Sequence, residues 1–185
     1  MIKIFYFLFI IFFLFNTSSA SVKNKIIDNL REIKNISFDF RQKIEDEEET
    51  GKCIIEYPKK IYCLYNNIYN KILVSDGNSL VIKSNKNRQY YRYPLEKTPL
   101  NILLNKRLLI ENIDKIDEKL LNKTHYVFPI KIDESLVNIF FDKEKYNFVG
   151  WQTEDIYQNL VVTYIFNIKK NSKVDKKMFK LPETH

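Results

Sequence analysis

Few residues in this 185-residue chain are equipped for chemistry, and the two cysteines come first. Cys53 and Cys63 stand symmetrically about Pro58, each five residues from it. In a hairpin whose loop is odd-numbered they face each other across the strands, about 4.5–5.5 Å apart. In an oxidising compartment such a pair joins as a disulfide; otherwise it packs as two small buried hydrophobes. Both readings fit the spacing. The two histidines are His125 and His185, so a zinc site or a Ser-His-Asp triad would rest on His125. It adjoins Tyr126 at a strand start, a place for a surface or edge side chain. None of the 23 acids stands out inside an apolar stretch, where burial raises a carboxyl pKa and fits it for proton transfer. The run Glu45-Asp46-Glu47-Glu48-Glu49 lacks the alternating oxygen ligands and central glycine of a calcium loop, and reads as an exposed, self-repelling loop before Gly51. The 3 glycines lie far apart, against a phosphate-cradling loop. These residues point to a binding protein rather than an enzyme, with no cofactor and no metal.

The chain itself begins with an address. Lys3 precedes an apolar run from Ile4 to Phe15, then Asn16-Thr17-Ser18-Ser19-Ala20. Those 12 apolar residues span about 18 Å as a helix, short of a bilayer core of about 30 Å. Residues 1–20 therefore read as a cleavable secretory signal, and residues 21–185 as one exported domain. The net charge is +7, carried by 25 Lys and only 5 Arg. Export and the shortage of arginine argue against nucleic acid as a partner.

Val22, Ile26, Ile27, Leu30 and Ile33 recur at helical spacing from Ser21 to about Lys34. The period then changes to two. Ile36, Phe38 and Phe40 alternate with Ser37, Asp39 and Arg41, so Ile36–Lys43 is a strand with one buried face. Further strands read at 52–57, 60–65, 71–75, 79–83 and 89–93, with Asp76-Gly77-Asn78 as a hairpin turn. Thr98-Pro99 reads as a helix N-cap and first residue, with Leu100, Leu103 and Leu104 as its apolar stripe. Residues 107–123 fit strand or helix equally. Strands resume at 126–132, 136–142, 148–153 and 157–169, and Pro129 places its strand at an edge or a bulge. About ten strands around two or three helices, with no strand–helix alternation, give a mainly β (α+β) fold class: a mainly antiparallel sheet, strongly curved or barrel-like.

Alternation puts Phe38, Phe40, Ile55, Tyr57, Ile61, Leu73, Leu80, Ile82, Val137, Ile139, Phe141, Val149, Trp151, Leu160, Val162, Tyr164 and Phe166 on one concave face. A filled core and a cavity for a hydrophobic ligand fit this pattern equally.

The order of motifs resembles the periplasmic outer-membrane lipoprotein carrier (LolA) family. Phe38-Asp39-Phe40-Arg41-Gln42 is similar to its Phe-x-Gln on the first strand, and Gly51-Lys52-Cys53-Ile54-Ile55-Glu56-Tyr57-Pro58 to its Gly-led strand ending in Pro. Ile72–Leu80, with Val74-Ser75-Asp76-Gly77, resembles its Val-Ser-Asp-Gly hairpin; Thr98–Leu104 resembles its lid helix. Ile165–Asn171 and Phe179-Lys180-Leu181-Pro182 resemble the last strand and closing segment.

The resemblance implies a periplasmic chaperone that carries acylated lipoproteins from an inner-membrane releasing transporter to an outer-membrane acceptor lipoprotein, where one is present. It implies an incomplete antiparallel barrel of about 10–11 strands with a short-helix lid, and a monomer, with Ile61 on the cavity wall and Leu103 on the lid. Phe38, Phe40, Leu100, Leu104, Val137 and Ile139 complete the expected cavity and lid. Several members carry an arginine latch just before the strand-ending proline; here Tyr57 stands there. A periplasmic module for another lipid or glycolipid is the alternative.

Overall fold

The computed structural model describes residues 21–121, 123–132, 135–155 and 158–184. The expected signal at 1–20, the strand start near Tyr157, and His185 lie outside these residues.

Helix α1 (Val22–Glu32) starts where the Ser21 hydroxyl accepts from the Asn24 amide at 3.2 Å, and buries Ile26, Ile27 and Leu30. Eleven antiparallel strands follow: β1 (Asn35–Ile44), β2 (Glu47–Glu56), β3 (Lys60–Tyr65), β4 (Ile72–Asp76), β5 (Ser79–Ser84), β6 (Gln89–Pro94), β7 (Lys119–Leu121), β8 (His125–Ile132), β9 (Ser135–Asp142), β10 (Phe148–Glu154) and β11 (Leu160–Lys170). Each pairs with its sequence neighbour except that β1 pairs with β11, giving the order β6-β5-β4-β3-β2-β1-β11-β10-β9-β8-β7. The sheet ends at β6 and β7, so the barrel is incomplete, as the resemblance implies. Between those strands the chain forms helices α2 (Leu100–Leu104) and α3 (Lys106–Lys115), so the described residues of the ambiguous segment 107–123 hold the rest of this helix and then the short strand β7.

Inward side chains line up in rungs across the strands. One rung runs Ile36, Ile55, Ile61, Ser75, Leu80, Tyr93; the next runs Phe38, Cys53, Cys63, Leu73, Ile82, Tyr91. Gly51 lies between Phe40 and Tyr65 on a third. A Cβ at Gly51 would overlap the Leu64 carbonyl and the Phe40 ring, so glycine alone admits the edge-to-face packing of Phe40 on Tyr65 at 5.0 Å. Pro129 sits beyond the last residue paired with β7, on the open edge of β8. The turn Lys176–Phe179 packs outside β3 and β4, burying Phe179.

Four expectations are corrected. The acidic run is not a loop: Glu45 (φ 52°) and Asp46 make a tight turn, and Glu47, Glu48 and Glu49 pair with Ile44, Lys43 and Gln42. Cations from β1 and from the residue just before β4 offset the self-repulsion, with Arg41 at 3.4 Å from Glu48 and Lys71 at 2.6 Å from Glu49. On β11 the inward residues are Thr163 and Ile165, whereas Leu160, Tyr164 (43% exposed) and Phe166 (44% exposed) face out, and Val162, on their parity, shares that outer side. That strand is apolar on both faces, so its period cannot choose between them. A register shift between Phe148 and Gly150 displaces Val149 and turns Phe148 inward in its place. Thr98 caps no helix: its hydroxyl donates to the Leu95 carbonyl at 2.8 Å, closing the preceding turn.

Cys53 and Cys63 are direct cross-strand partners, Cα atoms 4.1 Å apart, and the structure joins them as a disulfide on the inward face. The closed loop is short, so chain entropy sets its contribution at about 2–3 kcal/mol. Unreduced protein treated with an alkylating reagent should show no added mass, and the Cys53→Ser/Cys63→Ser variant should lose about that stability in urea denaturation. Two alkylated thiols contradict the bond.

Candidate functional site

The inward face of the sheet and the helices over it form one apolar unit. Among the expected site residues, Phe38, Phe40, Ile61, Val137 and Ile139 are buried on the sheet, and Leu103 and Leu104 are buried on α2 against the same core. Leu100 is half-buried and packs on it. Ile102 on α2 and Leu109 and Ile113 on α3 complete the lid and were not singled out from the sequence. The spacing of Leu109 and Ile113, one helical turn apart, was the available signal. Leu103 and Leu104 belong to the same buried core as the inward residues of the sheet.

The lid is also held by polar groups. The Lys59 amide, in the β2–β3 turn, donates to the Leu104 carbonyl at 2.8 Å. Lys106, at the start of α3, donates from Nζ to the carbonyls of Ile33 at 2.8 Å and Arg31 at 3.2 Å. Those carbonyls belong to the last turn of α1, where unpaired C=O groups attract a cation. The same ammonium lies 5.5 Å from the centre of the Tyr57 ring. Burial lowers the Lys106 pKa from its ordinary value. At the other end of α3, Lys23 of α1 donates to the Asp114 carbonyl at 3.2 Å, so the two helices run antiparallel. The Tyr57 amide donates to the Lys34 carbonyl at 3.0 Å, placing the ring beside this junction.

The far end of the inward face carries a different group. Gln42 of β1 accepts from the Thr163 hydroxyl at 3.2 Å and approaches Glu49 at 3.5 Å. Both of these partners of the strand-end glutamine are side chains. Glu49 accepts from the Lys71 ammonium at 2.6 and 2.8 Å, and that ammonium lies 4.3 Å from the Tyr65 ring centre. The Tyr65 phenol is pushed above its ordinary range, chiefly by burial and then by the Glu49 carboxylate, with Gln42 opposing.

A model of the outer membrane lipoprotein carrier protein LolA family matches residues 31–182. The chain belongs to this family. Membership makes it a relative of lipoprotein-binding, carrier-type modules, and its open eleven-stranded sheet with short helices is the LolA-like fold. Comparison with curated proteins finds no similar sequence. Among solved structures, a LolA superfamily protein, NE2245, from Nitrosomonas europaea is 9% identical with a TM-score of 0.43, covering 88% of this chain and 99% of its own. A putative outer membrane lipoprotein-sorting protein domain from Vibrio parahaemolyticus is 6% identical with a TM-score of 0.48, covering 85% and 95%. The MucA/MucB complex of Pseudomonas aeruginosa gives 8% identity and a TM-score of 0.47, covering 88% of this chain and 62% of that one. Among the described residues no helix is long and apolar enough to cross a membrane.

Two outcomes test this site. Lys106→Met keeps the stem and removes the ammonium, so amide exchange in α2 and α3 should accelerate relative to β2 and β3; equal protection contradicts the tether. Tyr65 works through pH. Its folded pKa is raised, so stability is full below the unfolded tyrosine pKa of about 10 and falls as pH rises above it. The urea midpoint should therefore drop between pH 9 and 11, and Tyr65→Phe should lessen that drop; an identical pH slope contradicts it.

Proposed function

We propose that this LolA family member is a periplasmic carrier that takes up the acyl chains of lipoproteins on its inward sheet face and moves them from the inner to the outer membrane. The observation that supports this reading most is an apolar sheet face left open between β6 and β7 and covered by a leucine lid tied down through few polar contacts. Each buried CH₂ is worth roughly 0.8 kcal/mol, so an acyl chain of about 14 such groups represents about 11 kcal/mol and cannot cross water unescorted. Binding is then an exchange. Ligand methylenes replace Ile102, Leu103 and Leu104 against Ile61 and Phe38, and the displaced lid weakens the net affinity enough for release.

No cofactor enters this scheme, because direction follows from differential affinity along a relay from an inner-membrane releasing transporter to an outer-membrane acceptor lipoprotein. Lys106 and the Tyr57 ring stand in for the arginine latch of other members, with the cation supplied by the lid rather than the barrel. Residues 1–20 would act as the export signal, the mature protein working as a monomer.

The test is transfer from spheroplasts or a reconstituted releasing transporter. Leu103→Glu and Ile61→Glu should abolish soluble lipoprotein release. A buried glutamate can unfold the chain, so Leu100→Glu, at a half-buried lid position, supplies a variant whose circular dichroism should stay native while transfer falls. Undiminished transfer in all three variants defeats the proposal.

A further inference from the structure

The inward face is apolar along most of its length, yet one rung is polar. Glu49, Gln42 and Thr163 are register partners on β2, β1 and β11, and Lys71, just before β4, closes on Glu49. The next rung toward the lid is Phe40, Gly51, Tyr65 and Ile165, all buried. The rung toward the helices begins at Ile36, six residues from Gln42 along β1, or about 20 Å. A polar collar therefore stands about one barrel length from the lid junction, on the same face. Its ion pair reaches solvent, with Lys71 and Glu49 side chains 24% and 25% exposed.

We propose that this collar is the headgroup subsite of the acyl-binding face, and that it selects a neutral, amide-bearing headgroup over a phosphate. The inference rests on the acyl-carrier reading above. Its chemistry follows from the groups present. Glu49 accepts from an N–H, Lys71 donates to a C=O, and the Gln42 amide does both. Together they match the peptide groups next to an acylated residue. A phosphodiester drawn to Lys71 meets the Glu49 carboxylate already bound to it, and a cationic headgroup drawn to Glu49 meets Lys71. The pair thus refuses net charge of either sign while offering donors and acceptors. Thr163, buried beside Trp151, holds Gln42 at the boundary between this collar and the apolar face.

The experiment compares two probes carrying one palmitoyl chain each: a palmitoylated tetrapeptide amide and palmitoyl-lysophosphatidylglycerol, titrated below their micelle concentrations. Wild-type protein should bind the lipopeptide on the order of tenfold more tightly. Glu49→Gln should narrow or reverse that ratio by strengthening the phosphate probe, and Lys71→Met should weaken the lipopeptide while leaving the phosphate probe weak. A merely structural ion pair predicts equal losses for both probes. If Glu49→Gln and Lys71→Met leave the ratio at its wild-type value, the collar is not a headgroup subsite, although acyl binding stands. If wild-type protein binds neither probe, the carrier reading and this inference fall together.

Discussion

Everything in this molecule answers one constraint: an antiparallel sheet of eleven strands whose terminal strands, β6 and β7, do not pair. A closed barrel would seal its apolar interior with backbone hydrogen bonds alone. Here the seal is made by side chains on short helices. Leu103, Leu104, Leu109 and Ile113 come from the chain crossing between the two edges, and Ile26, Ile27 and Leu30 from the N-terminal helix that supports them. Dispersion and apolar burial hold such a cover without direction, so it can be displaced by any surface of similar hydrophobicity. A covering layer of that kind is what ligand exchange requires.

The polar contacts divide between the two ends of the inward face. At the helix end they bind cover to scaffold: Lys106 to the last carbonyls of α1, Lys59 to Leu104. At the far end Glu49, Lys71, Gln42 and Thr163 satisfy one another and leave two charged side chains facing water. Between them the Cys53–Cys63 bridge ties β2 to β3 in the middle of the face. The scaffold strands are thereby cross-linked to each other, whereas the covering helices carry few hydrogen bonds to the rest of the fold.

Much of this was readable in the residues, for physical reasons that also explain the failures. Where one strand face meets water, as in Ile36–Phe40, the period-two pattern gives both strand and facing; where both faces are apolar, as in Val161–Phe166, it gives the strand and loses the facing. The symmetric spacing of Cys53 and Cys63 about Pro58 revealed their pairing, though not whether a bond forms. Val149 was misplaced because a bulge leaves no mark on composition. The acidic run defeated local reasoning because its partners, Arg41 and Lys71, come from other parts of the chain. Lys106 and Lys71 were invisible for a similar reason: among 25 lysines, only tertiary packing distinguishes the two that are held.

The central claim is that the inward face under the lid accommodates the acyl chains of a polypeptide. Native mass spectrometry of the protein recovered from periplasm addresses it most directly. The account predicts a population whose added mass is that of an acylated polypeptide, lost in the Leu103→Glu variant. Protein free of any adduct, or carrying phospholipid or glycolipid alone, would contradict it.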